Sequence, residues 1–202
     1  GQGLVSGDIA VKETDTQITL QGQSFCYRLD KRTGLFTRIQ FAGRDYLSRP
    51  MELNIWRAPT DNDRYLKEEW KKAHYDEAYT RAYGIKMLQN QHGVRFCGHL
   101  AVVAATVQKI LDVEITWEID GSGKISSAMS VQKEEEFPEL PRFGVRLFLG
   151  RELENISYFG MGPKESYRDK HQGARHGCYH SKVQEMHEDY IRPQENGSHF
   201  DC

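Results

Sequence analysis

The sequence predicts an all-β fold, an antiparallel sandwich that carries one short helix. Three observations predict it. Apolar and polar residues alternate with period two in short runs, turn signals separate those runs, and helical spacing occurs in a single stretch near residues 64–79. The chain has 202 residues, which fits one domain (1–202) with a core of its own.

The elements follow in order. "DIAVKET", "QITLQGQSFCYRLD", "LFTRIQFAG" and "RDYLSRPMELNIW" alternate as strands do, and "DKRTG" (30–34) and "FAGRD" (41–45) read as hairpin turns. "RYLKEEWKKAHYDEAY" places Leu66, Trp70 and Ala73 at helical spacing with Lys and Glu between them, so Trp70 is the expected core anchor. Strands return in "AYGIKMLQNQ", "GHLAVVAATVQ", "LDVEITWEID", "KISSAMSVQ" and "RFGVRLFLG". "DGSGK" (120–124) lacks the phosphate-loop spacing and reads as a β-turn. "QKEEEFPELP" (132–141) reads as a solvated, charged connector. The stretch from 151 onward reads as loop-rich, with Gly, Pro, His and aromatic residues among carboxylates.

Composition excludes several classes. The formal net charge of −2 and the pI near 6.5 leave no basic footprint for nucleic acid. The longest apolar run, "LAVVAATV", is far shorter than the roughly 20 residues a bilayer needs. Cys26, Cys97, Cys178 and Cys202 match no zinc spacing and read as thiols of a reducing compartment. The opening "GQGLVSGD" and the closing "GSHFDC" read as boundaries of a piece of a longer chain.

Four chemistries bear on these residues. His176, Cys178 and His180 in "RHGCYH" would share one face of a strand, with His171 and His187 nearby, yet no recognised ligand spacing is completed. Surface histidines are the expectation, and no metal. Asp61, Asp63, Glu165, Asp169 and Glu195 lie on polar stretches where two could meet as a glycosidase pair, but among 29 acidic residues a chance meeting is ordinary. No G-x-S-x-G elbow is present. "RAPTDND", "RPQENG" and "FGMGPKESYRD" carry the planar polar groups and aromatic rings that hold sugars. Against that stands a plainer reading, in which Asp61, Asn62 and Asn196 bind their own backbone in Asx turns. The sequons at Asn155 and Asn196 are of the kind chance supplies.

Taken together and in order, "WRAPTDND" (56–63), "ELPRFGVRL" (139–147), "YFGMGPKESYRD" (158–169) and "YIRPQENG" (190–197) resemble the C-terminal, small-chain domain of lactose-cleaving β-galactosidases, in family two of the glycoside hydrolases. "EEW" in the helical stretch and "IDGSGKI" between strands add to the likeness. The resemblance runs from about residue 20 onward.

It implies an antiparallel super-sandwich like that of galactose mutarotases, here expected to be incomplete on its C-terminal side. It implies a parent that cleaves terminal β-D-galactosides with retention, a bacterial cytoplasmic location and homo-oligomerisation, while the charge balance and the short apolar runs lead to the expectation of no nucleic-acid and no membrane partner. The catalytic glutamates and the magnesium and sodium ligands belong, by the same resemblance, to a (β/α) barrel that this domain packs beside. No catalytic residue and no cofactor is therefore expected in this chain. A sugar platform tryptophan is implied beyond the 190–197 motif, a place that Trp56, Trp70 and Trp117 do not fill.

Candidate substrate contacts are Asp61, Asn62, Asp63, Glu195 and Asn196. The motif residues Arg57, Pro59, Gly162, Pro163, Glu165, Tyr167 and Asp169 are expected to shape the loops, with Arg57 pairing to Asp61 or to Asp63. Two other functions remain open: an autonomous galactose-binding module, and an aldose-epimerase-like enzyme with Glu195 and either His176 or His180 as its acid–base pair.

Overall fold

A computed structural model describes residues 8–105, 108–165, 173–187, 190, 194–195, 197–199 and 202. The described chain is antiparallel β with one helix, as expected. It divides into two compact units, Gly1–Trp56 with Glu68–Gly150, and Arg57–Lys67 with Arg151–Cys202.

In the first unit, β1 (Ala10–Glu13), β2 (Gln17–Gln21), β3 (Phe25–Asp30), β4 (Leu35–Phe41) and β5 (Arg44–Asp45) form a five-stranded meander in chain order. A second, two-stranded sheet pairs β6 (Leu47–Asn54) with β11 (Gly144–Leu149). A third sheet, again a meander, is built from β7 (Tyr79–Asn90), β8 (Gly93–Val103), β9 (Lys109–Asp120) and β10 (Ile125–Lys133).

Alternation explains why the meanders close on each other. In β9, Leu111, Val113, Ile115, Trp117 and Ile119 are buried, while Asp112, Glu114, Thr116 and Glu118 between them are not. They share one core with Ile18, Leu20, Phe25, Tyr27, Leu29, Leu35 and Phe36 of the first meander. Trp117 stands edge-on to Phe36 at 5.1 Å and donates its indole N–H to Gly34 O at 3.0 Å. Tyr27 donates to Gly123 O at 2.6 Å.

The "DKRTG" turn is built for this contact. Asp30 accepts the Arg32 amide at 2.8 Å and its guanidinium at 2.7 Å. The Arg32 hydrogen bond, against the upward push of burial, holds the Asp30 carboxyl below its ordinary value. Gly34 has φ of +71°, and a Cβ there would lie 2.5 Å from Leu100 Cδ2. "DGSGK" is the turn expected, with Asp120 Oδ1 accepting the amides of Ser122 at 2.9 Å and Lys124 at 3.1 Å.

The helix, α1 (Leu66–Lys72), fills the middle of the 64–79 window, with 3₁₀ turns at Asp61–Asp63 and Tyr75–Glu77. It stops because His74 takes a left-handed conformation, φ 56° and ψ 37°. Trp70 is buried, as its spacing predicted, and stands edge-on to Trp56 at 6.3 Å.

The 132–141 connector is not simply solvated, which corrects the sequence reading. Trp70 Nε1 donates to Glu139 O at 2.9 Å and Tyr75 Oη to Pro138 O at 2.6 Å, while Phe137 and Leu140 pack on the core. Burial, with the Glu139 charge beside it, pushes the Tyr75 phenol up to about 12, so it remains a donor.

The second unit corrects the sequence reading too. Within the stretch read as loop-rich, β12 (Asn155–Gly162) and β13 (Arg175–Lys182) form an antiparallel hairpin with Asn155 opposite Lys182 and Gly162 opposite Arg175. Its side chains are half-exposed on one face and exposed on the other, so no apolar stripe marked it as sheet.

Candidate functional site

The "RAPTDND" loop of the second unit is organised by one carboxylate. Arg57 reaches Asp63 with both guanidinium arms, Nη1 to Oδ2 at 2.5 Å and Nη2 to Oδ1 at 2.9 Å. The Thr60 amide and hydroxyl donate to Asp63 Oδ2 at 2.7 and 2.9 Å, and the Asp63 amide donates back to Thr60 O at 3.0 Å. Thr60 and Asp63 thus cap the 3₁₀ turn that begins one residue after Thr60. Of the two partners open to Arg57 in the sequence, the structure selects Asp63.

Asp63 is buried, at 7% exposure. Burial pushes its carboxyl up. The Arg57 guanidinium and the two Thr60 donors outweigh that push and hold it below the ordinary value. Asp63 is therefore an ionised, fully engaged structural group. Asp61 and Asn62, on the same turn, are exposed. Neither side chain makes a hydrogen bond among the described residues.

Two further carboxylates tie loops. Glu195 Oε2 accepts the Ala58 amide at 3.1 Å, joining the "PQENG" stretch to the "RAPTDND" loop. Glu165 is buried, at 8% exposure, accepts the Tyr190 hydroxyl through Oε1, and accepts the Gly197 amide through Oε2 at 2.9 Å. Pro59 sits between the two ends of the Arg57–Asp63 pair. Tyr167, Asp169 and Asn196, and His171 with them, lie outside the described residues.

Gly162 ends β12 beside an aromatic cluster, and Pro163 follows it. A Cβ on Gly162 would lie 2.5 Å from the Tyr158 hydroxyl and 2.8 Å from the Tyr179 ring, so the close approach requires glycine. Tyr158 donates to Pro163 O at 3.2 Å, and His199 Nδ1 lies 3.0 Å from Met161 O and 3.1 Å from Tyr158 Oη. Met161 O can only accept, so His199 carries its proton on Nδ1 and shares it with the Tyr158 oxygen.

The histidines of "RHGCYH" stand on the exposed face of β13. His180 Nδ1 pairs with Ser157 Oγ at 2.7 Å, and His176 lies beside Phe159 at 6.4 Å between ring centroids. Among the described residues no group of three or more His, Cys, Asp or Glu side chains is placed to hold a metal ion. No described helix is long and apolar enough to cross a membrane.

Sequence reasoning missed two features. The Thr60-x-x-Asp63 spacing is a capping signature that singles out Asp63 over Asp61. Tyr65 was not singled out, although among the described residues it is the most exposed large apolar side chain, at 76%. A tyrosine two residues past a capped turn carries no sequence signal of exposure.

The described chain is an antiparallel β domain whose second unit carries polar loops tied by the carboxylates of Asp63, Glu165 and Glu195. The chain belongs to the Beta galactosidase small chain family, which it matches over residues 21–202. It is 44% identical over 192 residues to a β-galactosidase of Actinobacillus pleuropneumoniae, covering 95% of this chain and 19% of that relative. It is 35% identical over 190 residues to one of Lactobacillus delbrueckii subsp. bulgaricus, and 32% identical over 193 residues to one of Staphylococcus xylosus. Those matches cover 92% and 95% of this chain, and 18% and 19% of the two relatives. The chain thus spans about a fifth of the length of the relatives it matches.

Proposed function

We propose that this chain is a non-catalytic domain of a longer, retaining β-galactosidase. In this reading it packs beside a catalytic (β/α) barrel, shapes the mouth of the active site for terminal β-D-galactosides such as lactose, and leaves magnesium and sodium to the barrel. The observation that carries the reading is how the loop carboxylates are used. A retaining glycosidase needs two carboxyl groups about 5–5.5 Å apart, one of them kept protonated by a raised pKa. Asp63 is instead held ionised by Arg57 and Thr60, and Glu165 and Glu195 accept the amides of Gly197 and Ala58. Groups spent in this way fix loops.

The epimerase-like reading has less support. It would cast Glu195 and His180 as an acid–base pair, whereas Glu195 accepts a backbone amide and His180 is bonded to Ser157. The reading as an autonomous galactose-binding module is favoured by one observation, the exposed Asp61 and Asn62 with no hydrogen-bond partner among the described residues.

The test is complementation. The 202-residue chain is mixed with the Actinobacillus pleuropneumoniae enzyme lacking its matching 192-residue stretch. Hydrolysis of a nitrophenyl β-galactoside is expected from the mixture and from neither part alone. Hydrolysis by the chain by itself would sink the non-catalytic assignment. A folded chain that binds the partner without restoring turnover would sink the role at the active-site mouth.

A further inference from the structure

We propose that Tyr65, together with Asp61 and Asn62, is a sugar contact. The open face of the Tyr65 ring stacks on the C–H face of a galactoside, while the Asp61 carboxylate and the Asn62 amide take its hydroxyls. The inference rests on the reading of this chain as a β-galactosidase domain and adds the residues that touch the ligand.

An exposed ring is ordinary by itself. Here its surroundings are not. The Arg64 guanidinium lies 4.6 Å from the Tyr65 ring centroid and donates to the Tyr65 hydroxyl at 2.8 Å. That contact restrains the ring from one side. The residue nonetheless remains 76% exposed, so ring surface stays open to a ligand.

The backbone places the polar groups on the same side. Residues 61–63 form a 3₁₀ turn, Arg64 is right-handed helical at φ −52° and ψ −28°, and α1 begins at Leu66. In such a run Asn62 is three residues before Tyr65 and Asp61 four, the spacings that bring side chains together on one face. The turn is held from beneath by Asp63, Arg57 and Thr60, so this face is pre-formed.

The chemistry fits a galactoside. With its 4-hydroxyl axial, a galactopyranose presents the hydrogens of C3, C4 and C5 as one apolar face. That face suits an aromatic ring, and the hydroxyls at its edge suit a planar carboxylate and amide. A glucoside, with an equatorial 4-hydroxyl, turns its C4 hydrogen to the face opposite those of C3 and C5 and so lacks this C3–C4–C5 patch.

The experiment is an NMR titration of the isotope-labelled 202-residue chain with methyl β-D-galactoside, and separately with methyl β-D-glucoside. Saturable shifts at Asp61, Asn62 and Tyr65 are expected, with the galactoside binding more tightly. Tyr65→Ala is expected to weaken binding about tenfold, the scale of one lost aromatic contact, and Tyr65→Trp to retain it. The ring is exposed, so neither variant should unfold the chain. Three results would overturn the proposal: no saturable shift, saturable shifts confined to other residues, or full binding by Tyr65→Ala. The complementation assay keeps the two failures apart. A chain that restores hydrolysis but shows none of these shifts retains the domain role and loses this site.

Discussion

The two units are held together by different physics. In the first, the buried strand residues are apolar apart from Asp30 at the end of β3, and the side chains of β8 and β9 meet those of β2, β3 and β4 in one continuous core. In the second, the described residues that are buried are Asp63, Gly160, Gly162 and Glu165. Two carboxylates and two glycines do there what leucine and tryptophan do in the first. Apolar burial is non-directional and tolerates small shifts. Carboxylate ties fix particular atoms at particular distances and fail when one partner is lost. A framework suits the first kind of construction, and a surface that must hold polar loops in register suits the second.

The comparison is broken most forcefully by attacking the core. Trp117→Ala removes a buried indole, its edge contact with Phe36 and its hydrogen bond to Gly34. We expect a loss of about 3–5 kcal/mol in chemical denaturation. A loss below about 1 kcal/mol would show that the sandwich does not depend on its inner face.

Asp63→Ala attacks the other construction. It leaves the Arg57 guanidinium and the Thr60 donors without their acceptor, at a local cost of about 2–3 kcal/mol. Hydrogen exchange should rise at Thr60 and Asp63 while the denaturation midpoint of the sandwich moves little. An equal fall in both would mean that the two units are not separable in this way.

Acid sharpens the same contrast without mutation. The Asp63 carboxyl titrates lower in the folded chain than in the unfolded one. Its tie therefore contributes stability that is present above the unfolded value, about 3.9, and is lost as pH falls through the lower folded value. Asp30, paired with Arg32, has the same sign. The inner face of β9 carries no titratable group. Loop signals from 57–63 should thus change below about pH 4 while the β8–β9 ladder persists, as followed by NMR.

The smallest effect is expected from Tyr158→Phe, which deletes the hydroxyl bonded to Pro163 O and facing His199. About 1 kcal/mol is expected, with the change confined to the signals of β12 and His199. A larger, global loss would make the tyrosine cluster a second core.

What could be read from the sequence follows the same division. Apolar period-two alternation announced β9, and helical spacing announced Trp70, because burial of apolar faces leaves a periodic trace. The 132–141 connector was misjudged because its glutamates mask Phe137 and Leu140, and because Pro138 and Glu139 act through backbone carbonyls that no side-chain pattern reports. β12 and β13 were hidden among loop residues because their faces are half-exposed and mix Tyr, Gly, His and Ser. The motifs "RAPTDND" and "PQENG" disclosed the family, yet not which aspartate Arg57 grips. That choice is made by the cap at Thr60, a local backbone event.

The most direct measurement is residue-resolved amide exchange of the 202-residue chain at pH 6 and pH 2.5, expressed as protection factors. The account predicts that protection at Thr60 and Asp63 falls at pH 2.5 relative to that of the β8–β9 amides, because the Asp63 tie weakens as its carboxylate is protonated. Equal protection at both pH values, or equal loss in the β8–β9 ladder, would contradict it.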